Sequence, residues 1–411
     1  MPMKYLILLG DGMADYPIPS LGGKTPLEFA DTPNMDIVAS EGTLGMIDTI
    51  PSGLSPGSDV ANLAVLGYDP NNCYTGRGPL EAASMGVQMT PGDVAFRCNL
   101  ITLGDGDNPL MMDFTAGHIN SADARKIIQS LHNKLGSDDF AFYSGVSYRH
   151  LLLWKNGPVG VETTPPHDIT GREVINYLPQ GEGAERLITL MYRAKEILHD
   201  HPINKTRVKE GKKPANSVWL WGQGRAPKLT TLVAQYNIKG GMISAVDLLN
   251  GIGIYAGLDI IKVEGATGYI DTNYIGKAKK ALEALNKLDF VFLHVESPDE
   301  MGHEGNTEGK IKAIEDFDKK VVGTVLDGIR KFNAFRIMVL SDHPTPLSLM
   351  THSSDPAPFA VFSSQRDENL FRGCSFGETT ARKGAILVSP GHMLMNLFIR
   401  DWRKFVDEKS H

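Results

Sequence analysis

Three apolar runs in this chain each end on acidic or histidine side chains. Tyr5–Leu9 leads into Gly10, Asp11 and Gly12. Phe290–Val295 (FVFLHV) leads into ESPDEMGH, which carries Asp299 and His303. Ile337–Leu340 leads into SDHPTP with Asp342 and His343, and His352 follows in THSSDPAP. Short unbroken apolar runs suit strands covered on both faces of a parallel sheet. In such sheets ligands gather beyond the carboxyl ends of the strands. One strand-end Asp is ordinarily a turn or cap residue. Three strand ends supplying Asp and His together point to a shared metal site. Asp299 and His303 are four apart, so a helical turn would set both on one face.

Strands alternate with helices at both ends of the chain. Helices are expected at Pro33–Glu41, Asp59–Leu66, Lys277–Leu288 and Thr307–Ile329, and further strands at Leu258–Val263 and Phe359–Phe362. This is the pattern of a parallel α/β sheet. Between about residues 90 and 239 the texture changes to short strand-like pieces (Val94–Ile101, Phe140–Tyr143, His150–Trp154) and an amphipathic stretch at Ala184–Leu198. The expected organisation is a discontinuous core, 1–89 and 240–411, interrupted by an inserted domain, 90–239. A chain of 411 residues has room for two or three domains at roughly 100–200 residues each.

Composition narrows the function classes. Lys and Arg total 41 against 48 Asp and Glu, a net charge of −7. Such a chain is a poor general binder of nucleic acid, although a local basic pocket for a small phosphate is compatible with it. The three cysteines, Cys73, Cys98 and Cys374, form no CxxC pair, so neither a disulfide framework nor a cysteine zinc site is expected. The first apolar run is too short for a signal or membrane segment. A cytoplasmic protein with no membrane partner is the expectation. Nothing here fixes an oligomeric state.

Three Asp, three His and one hydroxyl would serve two divalent ions. Mixed carboxylate and imidazole donors suit Mn²⁺ or Zn²⁺, and the carboxylates also suit Mg²⁺. Paired ions about 3.5–4 Å apart clamp the attacking and leaving oxygens of phosphoryl transfer. The candidate nucleophile is Ser58, between a glycine-rich loop and a helix. Its ordinary role there is N-cap. Its functional role would use the free amides at the helix start to hold a phosphate. Gly22-Gly23-Lys24-Thr25 is not a phosphate loop, because Ile18 stands where glycine is required and Pro26 follows at once. No GxGxxG follows a strand.

LLGDGMADYP, GSDVAN, GYDP, YTGRGPLEAASMG, HVESPDEMGH and SDHPTP together resemble the alkaline phosphatase superfamily. More closely they resemble its cofactor-independent phosphoglycerate mutases of the short, archaeal type, with a bacterial branch proposed as homoserine kinases. The resemblance implies an α/β core of alkaline-phosphatase type, with helices on both faces of a parallel sheet and a smaller α+β cap. It makes Ser58 the phosphorylated nucleophile. One ion would be held by Asp299, His303 and His352, the other by Asp11, Ser58, Asp342 and His343, with Mn²⁺ the expected metal. The chain departs from the family in places. The long bacterial members carry NSEVGH where this chain has GSDVAN, Asn62 replaces a histidine of the archaeal members, and VEGATGYIDTNY lacks a lysine. These differences bear on the substrate.

A substrate with a phosphate and a carboxylate calls for guanidinium groups. Arg77 is the first candidate, followed by Arg149, His150, His167, Asp168 and Arg225 in the insert. Each arginine could equally be a solvated surface charge. Trp219 and Trp221 read as strand packing. The primary expectation is a mutase interconverting 3-phosphoglycerate and 2-phosphoglycerate through phosphoserine, with a small three-carbon acid as its partner and no nucleotide. The second is an ATP-dependent homoserine kinase on the same serine and metals. The third is a metal-binding scaffold without catalysis.

Overall fold

A computed structural model describes residues 3–106, 108–365, 374–384 and 386–401. The chain divides into two compact units, Met1–Tyr74 with Lys228–His411, and Thr75–Pro227.

The first unit is built on an eight-stranded sheet. Its order is Asp259–Ile260, Gly240–Ile243, Phe290–Val295, Lys4–Gly10, Phe335–Leu340, Ala357–Ser363, Thr43–Ile47 and Leu387–Val388. The first five strands are parallel, Ala357–Ser363 runs antiparallel to both neighbours, and Leu387–Val388 is parallel to Thr43–Ile47. The expected mixed α/β class with a parallel-dominated sheet is therefore present. Side chains on alternate positions of a strand face opposite sides. Leu6, Leu8, Val291, Leu293, Ile337 and Val339 join one core with Ala278, Ala281, Ile314, Phe317 and Val321 from the covering helices. Ile7, Leu9, Phe292, Met338 and Leu340 point the other way and are equally buried. Burial on both faces is why these runs are apolar without alternation.

Register fixes the site. Gly10 lies beside Val295 and Leu9 beside Leu340 in parallel ladders. Asp11, Glu296 and the Ser341–His343 segment therefore leave the sheet at the same edge. The expected strand Leu258–Val263 shrinks to Asp259–Ile260, at the sheet's edge. The expected helix Lys277–Leu288 begins earlier, as Tyr274–Ala284, because Asn273 caps it by accepting from the Gly276 amide.

The second unit is antiparallel. Val94–Leu103 is its spine and pairs with Met111–Asp113, Arg149–Trp154 and Ser217–Gly224, while Phe140–Tyr143 pairs with Arg149–Trp154. Helices Ser121–Leu135 and Ala184–His199 contribute Ile127, Ile128, Leu131, Leu187, Leu190 and Ala194 to its core. The unit begins at residue 75, not 90, because helix Arg77–Ser84 packs Ala82 against Ala95, Leu151 and Leu153. It ends at 227, not 239. Residues beyond that point bond into the first unit, where Thr230 O accepts from the Tyr68 hydroxyl and Ala256 O from the Leu232 amide. Among the described residues no helix is long and apolar enough to cross a membrane.

Candidate active site

Ser58 does not cap its helix. Gly57 takes the cap position and Ser58 is the first residue of Ser58–Val65, a helix buried along its whole length. The hydroxyl is thereby released from local duty. It donates to Asp11 Oδ1 at 3.3 Å and lies 3.2 Å from His343 Nε2. One turn on, Asn62 Nδ2 donates to the Ser58 carbonyl and to Asp342 Oδ2, both at 2.8 Å. The other Asp342 oxygen accepts from the Gly12 amide at 3.1 Å. Gly12 has φ +58°, and a Cβ there would come within 2.5 Å of the Asp299 carboxylate, so only glycine fits.

Asp299 and His303 lie on helix Ser297–His303 with the predicted four-residue spacing. Asp299 Oδ2 is 3.2 Å from His303 Nε2 and Oδ1 is 3.5 Å from His352 Nε2, while the two imidazole nitrogens are 3.0 Å apart. The Thr345 hydroxyl donates to Asp299 and lies 3.3 Å from His343 Nδ1. The rings of His343 and His352 are 4.4 Å apart. All seven expected ligands are therefore gathered in one place. Among the described residues three groups could hold an ion: Asp299 with His343 and His352, Asp11 with Asp342 and His343, and Asp11 with His294 and Glu296. The first shares Asp299 and His352 with one expected set but has His343 in place of His303, and the second shares Asp11, Asp342 and His343 with the other.

The electrostatics agree with a cation site. Burial and Asp299 push the Asp11 carboxyl up, but hydrogen bonds with His294 and His343 outweigh them and hold it below the ordinary range. Asp299 is likewise held low against burial by His303 and His352. Burial and then Asp11 raise Asp342 well above its usual value, and burial with Asp11 and Asp299 does the same to Glu296. The imidazoles respond in turn. Against burial, Asp342 and Asp11 lift His343 to about 10, and Asp299 lifts His303 to about 9. Carboxylates crowded out of water need protons or metal ions to offset them. The residues thus fit a divalent metal.

His294 and Glu296 were not singled out from the sequence. His294 sits inside the apolar strand, fully buried, with Nε2 2.7 Å from Asp11 Oδ2. The signal was available: a histidine within a run otherwise apolar, two residues ahead of a strand-end glutamate. Lys310 and Asp15 were also missed. They form a buried pair at 2.7 Å, and Lys310 Nζ further donates to Ala14 O at 3.3 Å and Thr345 O at 2.8 Å. That amine ties the loop after the first strand to the loop carrying His343.

The remaining candidates all lie in the second unit. Arg77 opens helix Arg77–Ser84 and is half-buried. Arg149 is exposed, with its guanidinium 5.1 Å over the Tyr148 ring. His150 is buried, and its Nδ1 accepts from the Gly145 amide at 3.0 Å. His167 and Asp168 are exposed and pair at 3.6 Å, and the His167 ring is 5.4 Å from Trp221. Arg225 donates to Gly157 O at 3.4 Å. Arg97, not foreseen, is buried with its guanidinium 4.3 Å over Trp221 and its Nε 3.0 Å from Glu81. Burial lowers the Arg97 pKa against Glu81, and Arg77 and Arg149 add to the lowering, so the three guanidinium groups sense one another. Trp219 packs as expected, donating to Thr164 O at 2.8 Å. Trp221 packs and also offers a face to Arg97.

Residues 39–204 match the family model described as 2,3-bisphosphoglycerate-independent phosphoglycerate mutase. A probable 2,3-bisphosphoglycerate-independent phosphoglycerate mutase of Geobacter sulfurreducens is 54% identical, covering 97% of this chain and all of its own. The enzyme of that name from Methanosarcina barkeri is 51% identical with the same coverage. Among solved structures, a protein from Pyrococcus horikoshii superposes with TM-score 0.82 at 32% identity, covering 98% of each chain. The cofactor-independent phosphoglycerate mutase of Thermoplasma acidophilum gives TM-score 0.65 at 26% identity over 97% of this chain and 99% of its own.

Proposed function

The chain belongs to the family of 2,3-bisphosphoglycerate-independent phosphoglycerate mutases, and we propose that it interconverts 3-phosphoglycerate and 2-phosphoglycerate through a phosphoserine at Ser58. The observation that carries this reading is the Ser58 hydroxyl at the start of a buried helix, between Asp11 and His343. Ser58 Oγ forms a bond to phosphorus as the bond to the substrate's 3-oxygen breaks. Ser58 loses its hydroxyl proton as this bond forms, and the departing glycerate oxygen takes up a proton. Free amides of the helix start face the phosphoryl oxygens. The 2-hydroxyl of glycerate then bonds to phosphorus as the Ser58 Oγ–P bond breaks, and the proton it gives up restores the Ser58 hydroxyl.

Two divalent ions, Mn²⁺ by preference, would be held by Asp299, His303 and His352 and by Asp11, Ser58, Asp342 and His343. Such ions offset phosphoryl charge and lower the pKa of a hydroxyl beside them. The second unit is read as the cap and transferase part, with Arg77, Arg149, His150, His167, Asp168 and Arg225, joined by Arg97, assigned to the acid groups of the substrate. Guanidinium forks suit carboxylate and phosphate alike. A cytoplasmic location is part of the same reading.

The test is a paired assay on one Mn²⁺-loaded preparation. One arm follows 2-phosphoglycerate formed from 3-phosphoglycerate without nucleotide. The other follows ADP released from ATP with and without homoserine. Nucleotide-free interconversion is the expected result. Homoserine-dependent ADP release without interconversion would replace the mutase with a kinase.

A further inference from the structure

We propose that Thr345, the threonine of the SDHPTP run, is a positioning residue for the phosphoryl transfer: its hydroxyl joins a ligand of one ion to a ligand of the other and holds both in place. This rests on the two-ion reading above. Thr345 is fully buried. Its hydroxyl donates to Asp299 Oδ1, from the set Asp299, His303 and His352. The same oxygen lies 3.3 Å from Nδ1 of His343, from the set Asp11, Ser58, Asp342 and His343.

Three features give the hydroxyl this role. First, the two ring nitrogens of His343 face different ways. Nε2 looks into the site, 3.2 Å from Ser58 Oγ, 3.3 Å from Asp11 Oδ1 and 3.4 Å from Asp342 Oδ2. Nδ1 looks away from it, toward Thr345 Oγ1 and toward Pro344 O, which is also at 3.3 Å. A histidine that ligates through Nε2 carries its proton on Nδ1, and the partner of that proton fixes the ring. Second, a hydroxyl has one proton to give and lone pairs to accept with. Because the Thr345 proton goes to Asp299, the lone pairs are left for the His343 Nδ1 proton, and the direction of both bonds is set. Third, the Thr345 backbone is clamped. Its amide donates to Ala14 O at 3.1 Å, and its carbonyl accepts from the buried Lys310 amine at 2.8 Å. Glycines close in on both sides of the side chain. A Cβ on Gly12 would lie 2.5 Å from Thr345 Oγ1, and one on Gly302, in the helix of Asp299 and His303, would lie 2.8 Å from the Thr345 methyl carbon. Removing the hydroxyl would release the Asp299 carboxylate and the His343 ring at once. Ion binding and attack by Ser58, whose hydroxyl lies between Asp11 and His343, should then suffer together.

The test separates the hydroxyl from the methyl. Thr345→Val keeps the size and the methyl that meets Gly302 but loses the hydroxyl, and Thr345→Ser does the reverse. The full chain is stripped with a chelator and titrated with Mn²⁺, following free Mn²⁺ by its paramagnetic resonance. On the loaded proteins kcat and KM for 3-phosphoglycerate are measured. Thr345→Val should bind Mn²⁺ about 10–100-fold more weakly and lose kcat by a similar factor with KM little changed. Thr345→Ser should stay near wild type in both. Wild-type Mn²⁺ affinity or wild-type kcat in Thr345→Val, or a Thr345→Ser as impaired as Thr345→Val, overturns the proposal and leaves Thr345 a packing residue. If Thr345→Val does not fold, Thr345→Ser and Thr345→Ala differ only in the hydroxyl and make the same comparison. Two ions in wild type with no effect of Thr345→Val sinks the role of Thr345 alone. Fewer than two Mn²⁺ ions bound by wild type sinks the two-ion reading, and this inference with it.

Discussion

Asn62 Nδ2 bridges the Ser58 carbonyl and Asp342 Oδ2, at 2.8 Å to each. The helix that presents Ser58 is thereby tied to the strand end that presents two expected metal ligands. Asn62→Ala removes the donor and leaves an Asp342 oxygen unpaired in a buried place. Groups that orient metal ligands typically contribute 10–100-fold to affinity or activity. The expected outcome is a loss of about that size in kcat or in Mn²⁺ affinity, measured by steady-state assay and by titration. Asn62→Ala with wild-type values for both would show the bridge to be incidental.

Ser58→Ala should abolish mutase turnover and any slow release of inorganic phosphate together, since both pass through the same phosphoserine. The checks are a coupled assay and intact-protein mass after a brief incubation with substrate. A phosphorylated Ser58→Ala protein would place the nucleophile elsewhere.

His150 gives the second unit an acid-sensitive point. Burial lowers its pKa from 6.5 to about 3. The folded chain therefore holds this imidazole neutral, while the unfolded chain protonates it near pH 6.5. Stability from this residue is complete above pH 6.5 and is lost as the pH falls from there toward 3. Between pH 7 and 5 the loss is on the order of 2 kcal/mol. Urea midpoints at the two pH values should converge more closely in His150→Gln than in wild type. Equal pH dependence in the two proteins would refute the assignment.

Lys310→Met leaves Asp15 buried without its cation. Breaking one side of a buried pair costs about 3–5 kcal/mol, whereas removing both charges costs far less. Denaturant unfolding should show a large loss for the single variant and partial recovery in Lys310→Met with Asp15→Asn. No recovery would mean that Lys310 acts through its bonds to Ala14 O and Thr345 O instead.

Chelation should destabilise the first unit. An ion that binds only the folded state adds about 2.7 kcal/mol when present at 100 times its Kd. The melting temperature should therefore rise with added Mn²⁺ in wild type and rise less in Asp299→Asn. Equal rises would place the stabilising ion away from Asp299.

Much of this was legible in the chain itself. The apolar runs Tyr5–Leu9, Phe290–Val295 and Ile337–Leu340 are strands because only a sheet covered on both faces consumes such runs. The four-residue spacing of Asp299 and His303 survived because helical periodicity is local. Gly57 taking the cap in place of Ser58 was not legible, since either residue type serves there. Nor were the limits of the second unit, because Ala82 binds helix Arg77–Ser84 to strands reached much later in the chain.

By themselves the residues determined the class of fold, the strand ends that bear chemistry, and the donor types suited to a metal. Periodicity and side-chain chemistry act over a few neighbours, so they can be read in order along the chain. Which oxygen of Asp11 meets Ser58 and which meets His294 was decided only by tertiary structure, as was the gathering of Arg97 with Arg77 and Arg149. The first depends on parallel register between strands hundreds of residues apart, the second on antiparallel pairing of Val94–Leu103 with Arg149–Trp154. A one-residue change of register would turn each of those side chains to the other face.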